Sequence, residues 1–245
     1  MRGRLVRRSE LLPGDDEAMY SLFTRHFDGV PRQQFQADLD QKNWVILLHA
    51  DSDGALQGFT TLHFYDVLYK GAALSIVYSG DTIVDPAAWG RSAFSEIWIG
   101  SVNYLRREHG TGPLYWFLLV SGYRTYRFLP LYWRNFHPRY DAPTPPETRH
   151  LIDFLARERF GPLYHPEQAV VRFPSPQVLR LELRGIPSRR LGDPHIAFFA
   201  SRNPGHLQGD ELVCLTELSR DNLTPAGMRV WNSGEHALAR GRLAP

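Results

Sequence analysis

The stretch Val84-Asp85-Pro86-Ala87-Ala88-Trp89-Gly90-Arg91-Ser92-Ala93 joins two different periods. On its amino side the apolar run from Ala73 to Val84 reads as a strand, stopped by Pro86. On its carboxyl side Phe94, Ile97, Trp98, Val102 and Leu105 fall on one helical stripe, so a helix runs on toward Gly110-Thr111-Gly112-Pro113. A strand, a glycine turn and a helix start leave successive backbone N–H groups pointing out of the turn. With the helix dipole they form a cradle suited to a pyrophosphate, and glycine allows close approach. An ordinary strand-to-helix turn is the alternative.

Upstream, the apolar run from Trp44 to Ala50 is bounded by the turn signal Asp51-Ser52-Asp53-Gly54. A second strand follows from Leu56 to the break at Lys70-Gly71, so three antiparallel strands precede the decisive stretch. Before them, Met19, Leu22, Phe23 and Phe27 fit a helix that begins near Asp15, and Pro31 to Leu39 fits a second.

Downstream, Leu114 to Val120 is too continuously apolar for a strand with one wet face, so it is expected to be central and covered on both sides. The strand, helix, strand succession implies a parallel pair. Tyr126, Leu129, Trp133 and Phe136 then lie on one side of a helix, with Pro130 as its kink or junction. The proline-rich stretch Asp141 to Glu147 reads as a linker. Beyond it we expect a helix near 148–158, a strand at Val178 to Leu183, a helix opened by Asp193-Pro194, a strand at Glu211 to Glu217 and a loosely held tail after Asn232. The division is thus 1–140 for a main domain and 148–245 for an extension.

This order of elements resembles the GNAT superfamily of N-acetyltransferases. In that family a strand ending in V-x-P leads to Q/R-x-x-G-x-G/A and a helix; here Gly90 stands at the central glycine. Ala87 stands at the family's Gln/Arg position and Ser92 at its second small-residue position. The resemblance implies an α/β (α+β) fold with a mixed, mostly antiparallel sheet flanked by helices. It also implies that Val84, Trp89, Gly90, Arg91, Ser92 and Ala93 surround the pyrophosphate of an acyl-coenzyme A. The segment Leu131-Tyr132-Trp133-Arg134-Asn135-Phe136 is similar to the family's L-Y-x-x-x-G-F, with Asn135 for its glycine. Tyr132 then takes the role of general acid toward the departing thiolate. Thr125 stands where the family often has an asparagine contacting the cofactor arm. A core aromatic among its neighbours is the other reading of Tyr132.

Amine acylation also needs a base, because only the neutral amine attacks a thioester. Asp81 is the best candidate: it lies in an otherwise uncharged strand segment beside Gly80, which marks a bulge able to turn a side chain into a cleft. His63 on the preceding strand can do the same proton work. A carboxylate bonded to backbone and a structural histidine are the alternatives.

Composition bounds the rest. The 245 residues, 43% hydrophobic and 22% charged, exclude a disordered or fibrous chain. No apolar run reaches bilayer length and the arginine-rich start lacks a signal-peptide core, so the expected location is the cytoplasm. One cysteine, Cys214, excludes an internal disulfide and a zinc framework. The histidines, among them His137, His150, His165, His195 and His206, form no i, i+4 pair, and no metal site is expected. The net charge is only +2, with dispersed arginines and just two lysines, Lys42 and Lys70, so nucleic acid is not an expected partner. Asn222-Leu223-Thr224 is a sequon in form, but Pro225 follows it and we expect it to be unmodified.

The resemblance implies direct acyl transfer from acyl-CoA to a primary amine. The acceptor is a small molecule or a peptide, and lysine or ornithine side chains are compatible with the sequence. Nine aromatics between Tyr115 and Phe136 suit a longer acyl chain as well as a core. An acyl carrier protein is an alternative donor, and the extension suits an acceptor pocket or a homo-oligomer interface. The rival reading is a GNAT-like binding or scaffold module without turnover.

Overall fold

The computed structural model describes residues 1–88, 92–180 and 183–245. In chain order the elements are β1 (Arg2–Arg7), α1 (Pro13–His26), β2 (Phe27–Asp28), α2 (Arg32–Asp40), β3 (Trp44–His49), β4 (Leu56–Tyr69), β5 (Ala72–Val84) and α3 (Ala93–His109). There follow β6 (Leu114–Val120), α4 (Tyr123–Tyr126), α5 (Phe128–Tyr132), β7 (Phe136–His137), α6 (Pro146–Phe160), β8 (Tyr164–His165) and β9 (Val170–Val171). The last are β10 (Val178–Leu179), α7 (Pro194–Arg202), β11 (Glu211–Glu217), α8 (Pro225–Ala239) and β12 (Leu243–Ala244). The expected fold class holds: α/β, with mostly antiparallel strand pairs and flanking helices. No helix among the described residues is long and apolar enough to cross a membrane.

The chain forms two compact units. The first holds Met1–His26, Val30–Leu114 and Pro225–Pro245. Its strands run β12-β1-β3-β4-β5; β12 is parallel to β1 and the other pairs are antiparallel. Successive residues of a strand face opposite ways, and β4 serves two layers accordingly. Phe59 meets Phe23 of α1 and Phe35 of α2, with ring centroids 6.4 Å apart in each case. Phe64, on the opposite face, meets His109 of α3 at 6.5 Å. Helix α3 buries more than the single stripe expected of it, including Ser101 and Asn103, because α8 covers its other side.

One element of this unit went unread in the sequence, and one expectation is corrected. The arginine-rich start is strand β1, whose Gly3 and Leu5 face inward while the arginines do not. The tail is not loosely held: Trp231, Ala237 and Leu243 are buried, and β12 pairs with β1. Its packing relies on small residues at a close helix crossing, which leave little hydrophobic signal in the sequence.

The second unit holds Phe27–Gly29 and Tyr115–Thr224. Its strand β11 pairs antiparallel with β6, β7 and β9, and β9 pairs with β8; β2 and β10 form a separate pair. The proline-rich stretch 141–147 lies inside this unit, and α6 begins within it at Pro146. The helix expected around Pro130 is two short helices, and their junction is Arg127; Pro130 sits in the first turn of α5, where its missing N–H costs nothing. The strand expected at Val178 to Leu183 is confirmed only for Val178–Leu179, and residues 181 and 182 lie outside the described residues. Asp193 caps α7 as its sequence suggests, accepting from His195 N at 3.0 Å.

Candidate functional site

Strand β5 carries an extra residue. Thr60 faces Thr82 and Leu62 faces Ser79, so Gly80 and Asp81 together oppose the single residue Thr61. That is a β-bulge at the glycine where the sequence suggested one, and it frees Asp81 from the regular ladder. Thr60 and Thr82 close the bulge with a 2.7 Å hydroxyl bond.

Gly80 is required there by close approach. A Cβ on it would stand 2.5 Å from Lys42 Cε and 2.7 Å from Thr61 Oγ1. Thr61 and Lys42 are both buried, 1% and 8% exposed. The Lys42 ammonium donates to the Asp38 carbonyl at 2.8 Å and lies 5.5 Å from the centre of the Tyr78 ring.

Burial dominates the chemistry of Asp81 and pushes its carboxyl up to about 6; the Lys42 charge opposes this and the Asp38 charge adds to it. A carboxylate with its affinity raised toward neutrality takes a proton readily and releases it again, as a general base must. His63 faces Tyr78 across the ladder, on the face that also holds Thr61, and its ring stacks on Tyr65 at 4.4 Å. The register thus puts His63 and Thr61 on one face of β4, with Asp81 at the bulge opposite Thr61. Lys42 and Thr61 were not singled out from sequence. The one available signal was a lone lysine between apolar Leu39 and Trp44 in a chain that otherwise uses arginine.

The turn expected to cradle pyrophosphate is only partly visible. Trp89, Gly90 and Arg91 lie outside the described residues. Val84 ends β5 opposite Gly58. Ala93 opens α3, and Ser92 just before it donates its hydroxyl to Glu96 Oε1 at 2.6 Å. Glu96 also lies 3.8 Å from Arg242 Nη1. The acid in the first turn already complements the helix dipole, and Ser92 is committed to that acid.

Tyr132 and Thr125 belong to the second unit. Tyr132 ends α5, buried, with its ring edge-on to Phe128 at 5.5 Å and to Trp133 at 5.8 Å. Its carbonyl accepts from Thr224 N at 3.0 Å. Thr125 lies in α4 and its N–H donates to the Gly122 carbonyl at 3.1 Å. Beside α4 a cavity lined by Ser121, Gly122, Arg124, Leu179, Arg184 and His206 encloses about 20 Å³, room for roughly one water.

No family model matches the chain, and no curated protein does. Solved structures do. A probable N-acyltransferase from Enterococcus faecalis is 17% identical at a TM-score of 0.39, over 56% of this chain and 33% of that one. The chain thus spans about a third of that protein's length. A GNAT family N-acetyltransferase from Escherichia coli, in complex with CoA, is 16% identical at a TM-score of 0.38, over 52% of this chain and 68% of that one. An aminoglycoside acetyltransferase from an uncultured soil metagenomic sample, in complex with sisomicin, is 20% identical at 0.36, over 52% and 82%. The likeness to these acyltransferases is a partial one, at low identity.

Proposed function

We propose that the chain is an N-acyltransferase of the GNAT type, moving an acyl group from a thioester, acyl-CoA in the first instance, to a primary amine. The observation that carries the reading is the bulge that lifts Asp81 out of the β5 ladder with its proton affinity raised to about 6. Asp81 takes a proton from the acceptor ammonium; the neutral nitrogen attacks the thioester carbonyl, and collapse of the tetrahedral adduct expels the thiolate. Tyr132 protonates that thiolate, and His63 is the alternative proton acceptor. Val84, Trp89, Gly90, Arg91, Ser92 and Ala93 hold the donor's pyrophosphate in this reading, and Thr125 its arm.

The residues after 148 are assigned to acceptor binding or to association of copies of the chain. Seven of the nine aromatics between Tyr115 and Phe136 are buried. They serve as core, so a long acyl chain draws no support from them. A carrier protein as donor, a peptide acceptor and a cytoplasmic location remain part of the proposal.

A second reading, a GNAT-like binding module without turnover, is favoured by one observation. Ser92 gives its hydroxyl to Glu96 instead of facing an incoming anion. Titration with acyl-CoA thioesters of graded chain length, followed by thermal stability, separates the two, since a ligand of the folded state raises the melting temperature according to its affinity. A shift that peaks at one chain length, followed by turnover with an amine, supports the enzyme. No shift with any thioester overturns acyl-CoA as donor.

A further inference from the structure

Lys42 is one of two lysines in the chain, and it is buried. An ammonium withdrawn from water needs compensation, and the Asp38 carbonyl and the Tyr78 ring supply part of it. Its position is fixed from below. A Cβ on Gly80 would stand 3.1 Å from Lys42 Nζ, so the ammonium rests on the Gly80 backbone, one residue from Asp81. Thr61 reaches the same spot from β4, and its buried hydroxyl has no hydrogen-bond partner among the described residues. The bulge thus encloses a small polar site that holds a cation against Gly80, one residue along the backbone from Asp81.

We propose that Lys42 is a positioning residue for Asp81: its ammonium, seated on Gly80, holds the neighbouring carboxylate in the ionised form that accepts a proton. The proposal rests on the reading of Asp81 as the base. The charge arithmetic agrees in direction, since Lys42 is the group that opposes the effect of burial on Asp81. Asp38 of α2 works the other way. Other titratable groups on the neighbouring elements include His63 and Tyr65 of β4, Tyr78 of β5, Asp40 of α2, and His26 of α1, which lies 3.9 Å from Asp85 beyond the end of β5. A lysine suits the place better than one more arginine, because a compact ammonium fits the short gap above a glycine where a planar guanidinium does not.

The test is a carboxyl ¹³C titration of Asp81 in the full chain, wild type against Lys42→Met, with turnover followed over the same pH range. Removing the cation should raise the Asp81 midpoint by about one pH unit or more, and move the acid limb of the rate profile with it. A midpoint within about 0.3 unit of wild type, in a folded variant, overturns the proposal. Should Lys42→Met fail to fold, Asp81→Asn gives the reciprocal measurement. Coupled sites shift each other equally, so the Lys42 ammonium must then lose its proton at lower pH; an unmoved Lys42 titration is equally fatal. A shifted titration without turnover on any donor overturns the acyltransferase reading and leaves the Lys42–Asp81 interaction standing. Turnover with an unshifted titration does the reverse.

Discussion

Gly100 and Gly234 meet backbone to backbone: a Cβ on Gly100 would stand 2.8 Å from the Gly234 carbonyl oxygen, and one on Gly234 2.8 Å from the Gly100 nitrogen. Helices α3 and α8 cross at this point. Beside it the Arg106 guanidinium lies 5.1 Å from the Trp231 ring centre, so the close approach also sets the packing around it. In an isolated helix alanine outperforms glycine by about 1 kcal/mol. Here the methyl has only backbone to push against, and the helices must part. We expect Gly234→Ala to lower stability by about 1–3 kcal/mol despite the gain in helix propensity. For a chain of this size that is about 2–4 °C of melting temperature per kcal/mol, read by calorimetry. A rise in melting temperature would show that the crossing has room to spare.

The raised proton affinity of Asp81 sets the sign of a second expectation. The folded chain holds this proton more tightly than the unfolded chain. Stability therefore falls as pH rises from the ordinary aspartate range through about 6, and the penalty is fully present above it. Asn mimics the protonated acid. Asp81→Asn should accordingly be more stable than wild type at pH 8, by about 2 kcal/mol once its partial exposure is allowed for, with the advantage gone near pH 4. The same change should cut turnover by about 10²-fold. Denaturant unfolding at the two pH values decides the first part; equal stabilities at pH 8 would mean that Asp81 is not strained by burial.

Asn222 is the hub of a buried polar network. Its Nδ2 donates to the Asn135 carbonyl at 2.9 Å, to the Glu217 carbonyl at 2.8 Å and to Thr216 Oγ1 at 3.1 Å, while its Oδ1 accepts from Asn135 N at 2.7 Å. With both amide atoms engaged and the side chain buried, the sequon offers no nitrogen to a modifying enzyme. Asn222→Ala strands several buried partners at once, and a loss of about 2–4 kcal/mol is expected. Amide exchange should speed up most in the segment from Leu131 to Phe136, which the network ties down. Uniform exchange rates across the unit would contradict this role.

What was legible in the sequence was local. The turn at 51–54, the helix from Ala93, the cap at Asp193 and the strand Glu211–Glu217 each announce themselves within a few residues. Gly80 announced its bulge because a glycine inside an apolar strand has few other uses. What escaped was non-local. Strand β1 offers only Gly3 and Leu5 inward, and its partner β12 lies some 240 residues away in sequence, with Gly3 facing Leu243. Lys42 contacts Gly80 through the fold alone, so no spacing rule finds it. The nine aromatics were ambiguous by nature, since a core and a groove demand the same residues; burial is what resolves most of them as core.

Tyr132 lends itself to a clean separation of packing from chemistry. Its ring makes edge-on contacts with Phe128 and Trp133, and its carbonyl, not its hydroxyl, receives Thr224 N. Tyr132→Phe keeps the ring and the main-chain bond. If Tyr132 protonates the thiolate, the loss should fall on kcat by about 10²-fold or more, with the acceptor KM little changed and the melting temperature close to wild type. The defect should also shrink with donors whose thiols are more acidic, because a better leaving group needs less help from an acid. Full turnover in Tyr132→Phe would return the residue to the core and leave the acid to be sought elsewhere; a large fall in melting temperature would show that the hydroxyl is structural.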